Sequence, residues 1–498
     1  ALNDDFVALE QDAGLSHGDA PWRNLIIEGD NYDALRALRM SHAGRIRCIY
    51  IDPPYNTGNR DFVYNDRFVD KAHRFRHSLW LEFMYKRLTL ARDLLADDGV
   101  IFVSIDDNEL FRLGMLMDRV FGEDNFIANV IWQKMDSPKN TAQHFSDDHE
   151  YLVVYSRNKV VWRPNRLPRS DEMNARYKNP DNDPRGPWLL SDLAARNYYG
   201  AGTYSITTRT GRVIEGPPTG NYWRVSREKF DELDRDNRIW WGKSGNNRPG
   251  IKRFLTEVRT GVVPQTLWLW KDVGSTRHSK QELNSIMGDD SLFFGTPKPV
   301  QLMERILRIA TKPDDTVLDF FAGSGTLGQA VAKLNAEDGG TRRFILVSST
   351  EATEDQPDKN LCRDVCAMRV RRVLGGYGNA KGEQVEGLGG GFAYLRTRRI
   401  APYRLATRIQ HDQVWHALQL ISDRALTPWQ AQGFQHDGSL GYLADFRAAS
   451  LDALRAWLDE SGGAGRTLYT WNPARIAELV PEADIAPIPD FLRARFGR

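Results

Sequence analysis

The chain has 498 residues, 41% hydrophobic and 27% charged, with a formal net charge of +1. That length builds more than one core, and two or three domains are expected. No run of about 18 apolar residues and no signal-peptide pattern occurs, which argues against membrane insertion and secretion and for a cytoplasmic globular protein.

Three cysteines argue against a disulfide scaffold. Cys362 and Cys366 share a helical spacing without further Cys or His nearby, so they read as packing residues and no metal site is expected.

From the N-terminus, strand-like and helix-like segments alternate. "NLIIEGD" is a short apolar run ending at Gly29 and Asp30, and "NYDALRALRM" follows with the spacing of a helix. "RCIYID" is a second buried strand. "SLWLEFMYKRLTLARDLLADDG" is a long amphipathic helix for which Gly99 is the expected C-cap. "VIFVSID" and "ELFRLGMLMDRVFG" repeat the strand–helix pair. Strands without alternation, separated by helices, predict a parallel sheet covered on both faces.

Between 163 and 265 this rhythm stops. Gly, Pro, Asn and Arg recur in "NPDNDPRGPW" and "GKSGNNRPG", as in an inserted, loop-rich module. Residues 160–260 hold 19 Arg or Lys against 12 Asp or Glu, interleaved with Trp162, Trp188, Trp223, Trp240 and Trp241. That mixture suits a nucleic-acid surface and, equally, an ordinary solvated one. The rhythm returns with "TPKPVQLMERILRIAT", "DTVLDFFAGSGTLGQAVAKLN" and "RRFILVSST". After 375 come "GGGFAYLRTRRI" and helical stretches with no assignable motif; the basic run "YLRTRRIAPYRLATR" reads as a solvated face or as the wall of a DNA path.

Two stretches carry chemistry. The strand in "IYIDPPYNTGN" ends at Asp52, where ligands collect in a doubly wound sheet. Pro53 and Pro54 stop strand pairing and leave carbonyls as acceptors. Asp52 and the Pro53 carbonyl are then two acceptors on a stiff support beside the flat ring of Tyr55, which fits a planar, conjugated amine with two N–H bonds.

The second stretch is "VLDFFAGSGTLGQAV", a strand, a glycine turn and a helix. Gly323, Gly325 and Gly328 satisfy G-x-G-x-x-G, which admits a dinucleotide. An acid at Asp319 before two aromatics also suits a smaller cofactor with an ammonium group. Both NAD(P) and S-adenosylmethionine therefore stand, whereas the absence of a Walker sequence disfavours NTP hydrolysis.

Taken together and in order, "EGDNYDAL", "IYIDPPYNTGN", "HSLWLEFMYKRLTLARDLLADDGVIFVSIDDNE", "HFSDDHEYLVVYSRN", "TPKPVQLMERIL" and "DFFAGSGT" resemble the β class of amino-methylating DNA methyltransferases. The likeness covers most of residues 22–375 and is nearest to the modification subunits of type III restriction systems. It implies an α/β, Rossmann-like, circularly permuted sheet that binds S-adenosylmethionine. The implied division is a catalytic half (1–162), a target-recognition insert (163–265) and a cofactor-binding half (266–375), followed by a C-terminal domain (376–498) to which the resemblance assigns no role.

It also implies that Asp52, Pro53, Pro54 and Tyr55 are catalytic. Cofactor contacts are implied for Asp30, Asn31, Asp52, Thr296, Pro297, Lys298, Asp319, Phe320, Ala322, Gly323, Ser324, Gly325 and Thr326. The family's ribose-holding acid follows the strand "RRFILV"; here "SSTEATED" makes Glu351 the nearest candidate, with Glu354 and Asp355 close behind.

The implied reaction is methylation of the exocyclic N6 of a flipped-out adenine in double-stranded DNA. Cytosine N4 is the alternative base, and a non-catalytic specificity or assembly subunit and an NAD(P)-linked oxidoreductase are the alternative classes. A homodimer and a restriction or translocase subunit are the implied partners.

Overall fold

Ile46–Ile51, apolar apart from Arg47 and buried at every position, forms an interior strand, and strands of this kind build the centre of the first unit. The computed structural model describes residues 4–58, 63–64, 67–68, 74–288, 296–353, 356–460, 465–480 and 484–497. The chain divides into two units, one made of Ala1–Asn165 with Gln265–Arg498, the other of Arg166–Pro264.

The first unit is built on ten strands. They are β1 (Phe6–Gln11), β2 (Asn24–Glu28), β3 (Ile46–Ile51), β4 (Leu95–Ile105), β5 (Phe126–Gln133), β6 (His149–Ser156), β7 (Leu267–Trp268), β8 (Thr316–Asp319), β9 (Arg343–Ser348) and β10 (Phe392–Ile400). Their order across the sheet is β1-β10-β2-β9-β8-β3-β4-β6-β5-β7.

From β10 to β4 every neighbour is parallel, whereas β1, β6 and β5 join antiparallel. The sheet is thus mixed and not wholly parallel: a Rossmann-like parallel centre with antiparallel flanks. The glycine-turn strand β8 lies directly beside β3, with Leu318 opposite Ile49. Strands far apart in the chain become neighbours because helical crossovers return each strand in the same direction.

Helices cover the sheet. α1 (Asn31–His42), α2 (Arg76–Leu94) and α3 (Leu110–Phe121) pack in sequence. Their apolar residues join Ile49, Ile51, Ile101, Val103 and Leu318 in one core. Cys48, Tyr50 and Val317 alternate with these along the strands and are equally buried. α4 (Thr276–Met287), α5 (Val300–Ala310), α6 (Thr326–Asp338) and α7 (Met368–Gly375) follow; α5 packs on α6, and α7 on both α6 and α4. A π-helical turn at Cys362–Ala367 leads into α7, and both of its cysteines are fully buried.

Gly99 does not cap α2. That helix ends at Leu94, and Gly99 lies inside β4, near the irregular register between Ile46 and Cys48. A Cβ there would stand 2.9 Å from the carbonyl oxygens of Ala96 and Ile46, so glycine is required by the close approach of two backbones.

After residue 375, β10 enters the large sheet, and its arginines are paired: Arg396 with Asp12 and Glu28, Arg398 with Glu10, Arg399 with Asp33. A separate four-stranded sheet follows, formed by Phe434–Asp437, Leu440–Leu443, Thr467–Thr470 and Asp484–Pro487. Among the described residues no helix is long and apolar enough to cross a membrane.

The second unit holds a three-stranded antiparallel sheet of Trp188–Asp192, Gly250–Phe254 and Ile239–Trp240, with a helix at Arg227–Arg235. Trp188, Trp223 and Trp241 are buried, the last two in a core with Leu193, Ile206, Phe230, Ile239 and Ile251. Trp162, in the first unit, is buried as well. These four tryptophans are structural, not an exposed stacking surface; the three in the second unit fill the interior of a small loop-rich module, which needs large side chains to do so.

Candidate active site

The carboxyl ends of β2, β3 and β8 bring Asp30, Asp52 and Asp319 to one edge of the sheet. Asp52 follows β3 directly. Lys298, from the segment leading into α5, places its ammonium 2.9 and 2.8 Å from the two Asp52 oxygens. The same Nζ donates to the Tyr55 hydroxyl at 2.9 Å and lies 3.3 Å from the Glu150 carboxylate. Tyr55 donates its O–H to Glu150 at 2.9 Å. Four side chains from three distant parts of the chain therefore form one closed cluster.

Burial pushes the Asp52 carboxyl above the usual carboxylate range; Lys298 pulls it back down and Glu150 pushes it further up. For Lys298, burial works against the charge, but Asp52 and Glu150 outweigh it and hold the ammonium up to about 12. Glu150 is held below its ordinary value because Lys298 and Lys134 outweigh its burial. Mutual compensation is what lets these charges persist in a largely buried cluster.

The Pro-Pro-Tyr turn is braced from beneath. The indole N–H of Trp80 donates to the Pro54 carbonyl at 2.7 Å, committing that carbonyl to the interior. Asn56, fully buried with φ +56°, donates to Glu109 at 2.5 Å, and His77 shares the same carboxylate oxygen. Asparagine is among the few non-glycine residues that adopt this left-handed conformation readily.

Asp30 caps α1 by accepting from the Tyr32 N–H at 2.9 Å, and its other oxygen pairs with Arg87 at 3.0 Å. Asn31 donates to the Phe320 carbonyl at 2.9 Å. Asp319 accepts from the Phe321 N–H at 2.9 Å; burial pushes its carboxyl well up, and the nearby Asp52 adds to this. Ala322 donates to the Val347 carbonyl, tying the turn to β9. Gly323 and Gly325 take φ of +50° and +74°. A Cβ on Gly325 would press within 3.0 Å of the Cys366 carbonyl.

Ser324 and Thr326 turn inward: both hydroxyls accept from the buried guanidinium of Arg369, at 3.0 and 2.7 Å. Thr296 is exposed, and the Pro297 carbonyl accepts from Ser279. Glu351 is exposed, takes φ +52° and pairs with Lys359 at 2.9 Å. Glu354 and Asp355 lie outside the described residues.

Sequence reasoning missed Glu150, Arg87 and Arg369. Glu150, the acid inside the otherwise largely apolar strand "HEYLVVYS" just after Asp147 and Asp148, carried a detectable signal. Arg369 sits among Arg371 and Arg372 in "MRVRRVLG", and nothing in the letters marks it as the buried one. Among the described residues no group of three His, Cys, Asp or Glu side chains is placed to hold a metal ion.

Carboxylates gathered at the carboxyl edge of a Rossmann-like sheet, beside a glycine turn, define an α/β fold that holds its ligand over the strand ends. The chain belongs to the DNA methylase family, whose sequence model matches residues 46–353. It is 39% identical over 381 residues to the Mod subunit of the type III restriction-modification enzyme StyLTI of Salmonella typhimurium, covering 70% of this chain and 57% of that one. It is 34% identical over 378 residues to the EcoPI Mod subunit of Escherichia phage P1, covering 66% and 58%. With the type II methyltransferase M.KpnI of Klebsiella pneumoniae, identity is 32% over 345 residues, covering 64% and 79%.

The match thus spans less than two thirds of the length of these two Mod relatives. Among solved structures, the cytosine-N4-specific PvuII DNA methyltransferase is 13% identical with a TM-score of 0.34, covering 73% of this chain and 95% of that one.

Proposed function

We propose that this protein is a site-specific DNA methyltransferase that transfers a methyl group from S-adenosylmethionine to the N6 amino group of a flipped-out adenine, in a restriction-modification setting. The observation that carries this reading is the placement of Asp52 and Tyr55 at the end of β3, one strand from the glycine turn that follows β8. The names of the type III Mod relatives support the setting.

The donor chemistry fits the cofactor. Asp30, Asn31, Asp319 and the Phe320–Thr326 turn would hold it, with Gly323 and Gly325 in conformations that let backbone approach a ligand closely. S-adenosylmethionine supplies an electrophilic methyl group when bound. Asp52 accepts one amino hydrogen of the base and the Pro53 carbonyl the other, which turns the nitrogen lone pair out of ring conjugation. Tyr55 offers its ring to the base. Alignment of this kind contributes about 7–11 kcal/mol in favourable cases. The finer assignment of adenine over cytosine rests on the acid at position 52, and the same geometry serves both amines. Double-stranded DNA, a second copy of the chain and a restriction or translocase subunit are the partners this reading implies.

Expression in a host lacking DNA methylation, followed by modification-sensitive sequencing, tests the reading. New N6-methyladenine at one recurring sequence, lost in Asp52→Ala, is expected; N4-methylcytosine would reassign the base. Stabilisation of the protein by NAD(P) and not by S-adenosylmethionine would overturn the reading.

A further inference from the structure

Lys298 falls in the segment whose family resemblance implies contact with the cofactor, yet its ammonium lies on both oxygens of Asp52. A carboxylate has about four lone-pair sites. Lys298 takes one on each oxygen, so Asp52 keeps acceptor capacity for an amine N–H. Glu150 competes for the same ammonium at 3.3 Å and accepts from Tyr55. Behind Glu150 stands Lys134, 3.5 Å away, which also pairs with Asp147. Among the described residues, the other ionisable groups facing Asp52 are Tyr50, Tyr55 and Asp319.

We propose that Lys298 and Glu150 are positioning residues of the transfer reaction. Lys298 keeps Asp52 an ionised acceptor, and Glu150 sets how tightly the ammonium holds it. This assignment rests on the methyl-transfer reading above. Its physical content is a difference of sign. A protonated Asp52 carries a donor where the amine needs an acceptor, so transfer fails once Asp52 protonates. Lys298 opposes that protonation and Glu150 favours it. Removing one or the other must therefore move the acid limb of the reaction in opposite directions.

The test follows transfer of tritiated methyl from S-adenosylmethionine to unmethylated bacterial genomic DNA from about pH 5 to 9. Cofactor affinity is measured separately by calorimetry. In Lys298→Met the acid limb of kcat should rise by about 1–3 pH units, with cofactor Kd unchanged. In Glu150→Gln it should fall. Lys298→Met leaves the buried Glu150 with a weaker counter-charge, so folding is guarded by the double variant Lys298→Met/Glu150→Gln. That variant keeps the net charge of the wild-type trio, and its acid limb should lie above the wild-type value. Limbs that stay in place, or move the same way in both single variants, overturn the assignment, as does a loss of cofactor affinity at constant kcat. Wild-type protein that transfers no methyl group overturns the methyl-transfer reading itself.

Discussion

Asn31 joins the start of α1 to the glycine turn: its amide donates to the Phe320 carbonyl at 2.9 Å, although 289 residues separate the two in the chain. Its other end accepts from the Nε of Arg87 at 2.5 Å, and Arg87 reaches Asp30 and the Phe83 carbonyl as well. One amide therefore links Asp30, the acid that follows β2, to the turn after β8.

Asn31→Ala removes both bonds and leaves the Phe320 carbonyl and a buried guanidinium short of a partner. Loss of such a bond costs about 1–3 kcal/mol, which corresponds to roughly 5- to 150-fold weaker cofactor binding if the cost falls on the ligand site. Calorimetric titration with S-adenosylmethionine measures it. Unchanged affinity in a folded variant would show that the turn holds its shape without Asn31.

Gly325→Ala tests the turn itself. The position has φ +74°, and the new Cβ would meet the Cys366 carbonyl at 3.0 Å and its Sγ at 3.1 Å. Backbone strain of this type costs about 1–3 kcal/mol, and the displaced turn should weaken cofactor binding further. Chemical denaturation and a binding isotherm separate the two effects. A variant as stable as the parent would mean the turn relaxes freely.

Acid should destabilise the C-terminal part of the first unit through His416. Burial lowers its folded-state pKa from 6.5 to about 4. Between those values the unfolded chain binds a proton that the folded chain refuses, so stability falls as pH drops from 6.5 and the full penalty is reached below about 4. For this 1% exposed side chain the shift amounts to about 3 kcal/mol. Denaturation midpoints across that window should flatten in His416→Leu, and identical slopes in both proteins would contradict it.

In the insert, Lys252 is buried and pairs with Asp183 at 3.0 Å and with Asp181. Asp183 keeps a second partner in Arg185 at 2.9 Å. Lys252→Met strands part of this charge in the interior and should destabilise the unit by about 3 kcal/mol. Faster proteolysis confined to residues 166–264 is the expected sign. If the variant resisted protease as the parent does, the pair would be dispensable.

The parallel strands, the covering helices, the Asp-Pro-Pro-Tyr strand end and the glycine turn were legible in the letters alone. Each is written in a local pattern: an unbroken apolar run, a 3.6-residue spacing, a proline or glycine where the backbone demands it. The position of Gly99 was not legible, because helix and strand meet there without a break and the demand for glycine comes from Ile46 on the neighbouring strand. The burial of the insert's tryptophans was not legible for a related reason, since composition does not say which rings meet solvent.

The partners of Asp52 were beyond local pattern altogether. Lys298 and Glu150 are 246 and 98 residues away in the chain, and the sheet makes them neighbours of Asp52 by placing β6 next to β4, which pairs with β3, and by bringing back the segment that leads into α5. The sequence by itself marked Asp52 as the side chain for which the chemistry is proposed. The tertiary structure decided what charges surround it, because electrostatic interactions act through space and depend on burial, neither of which is written along the chain.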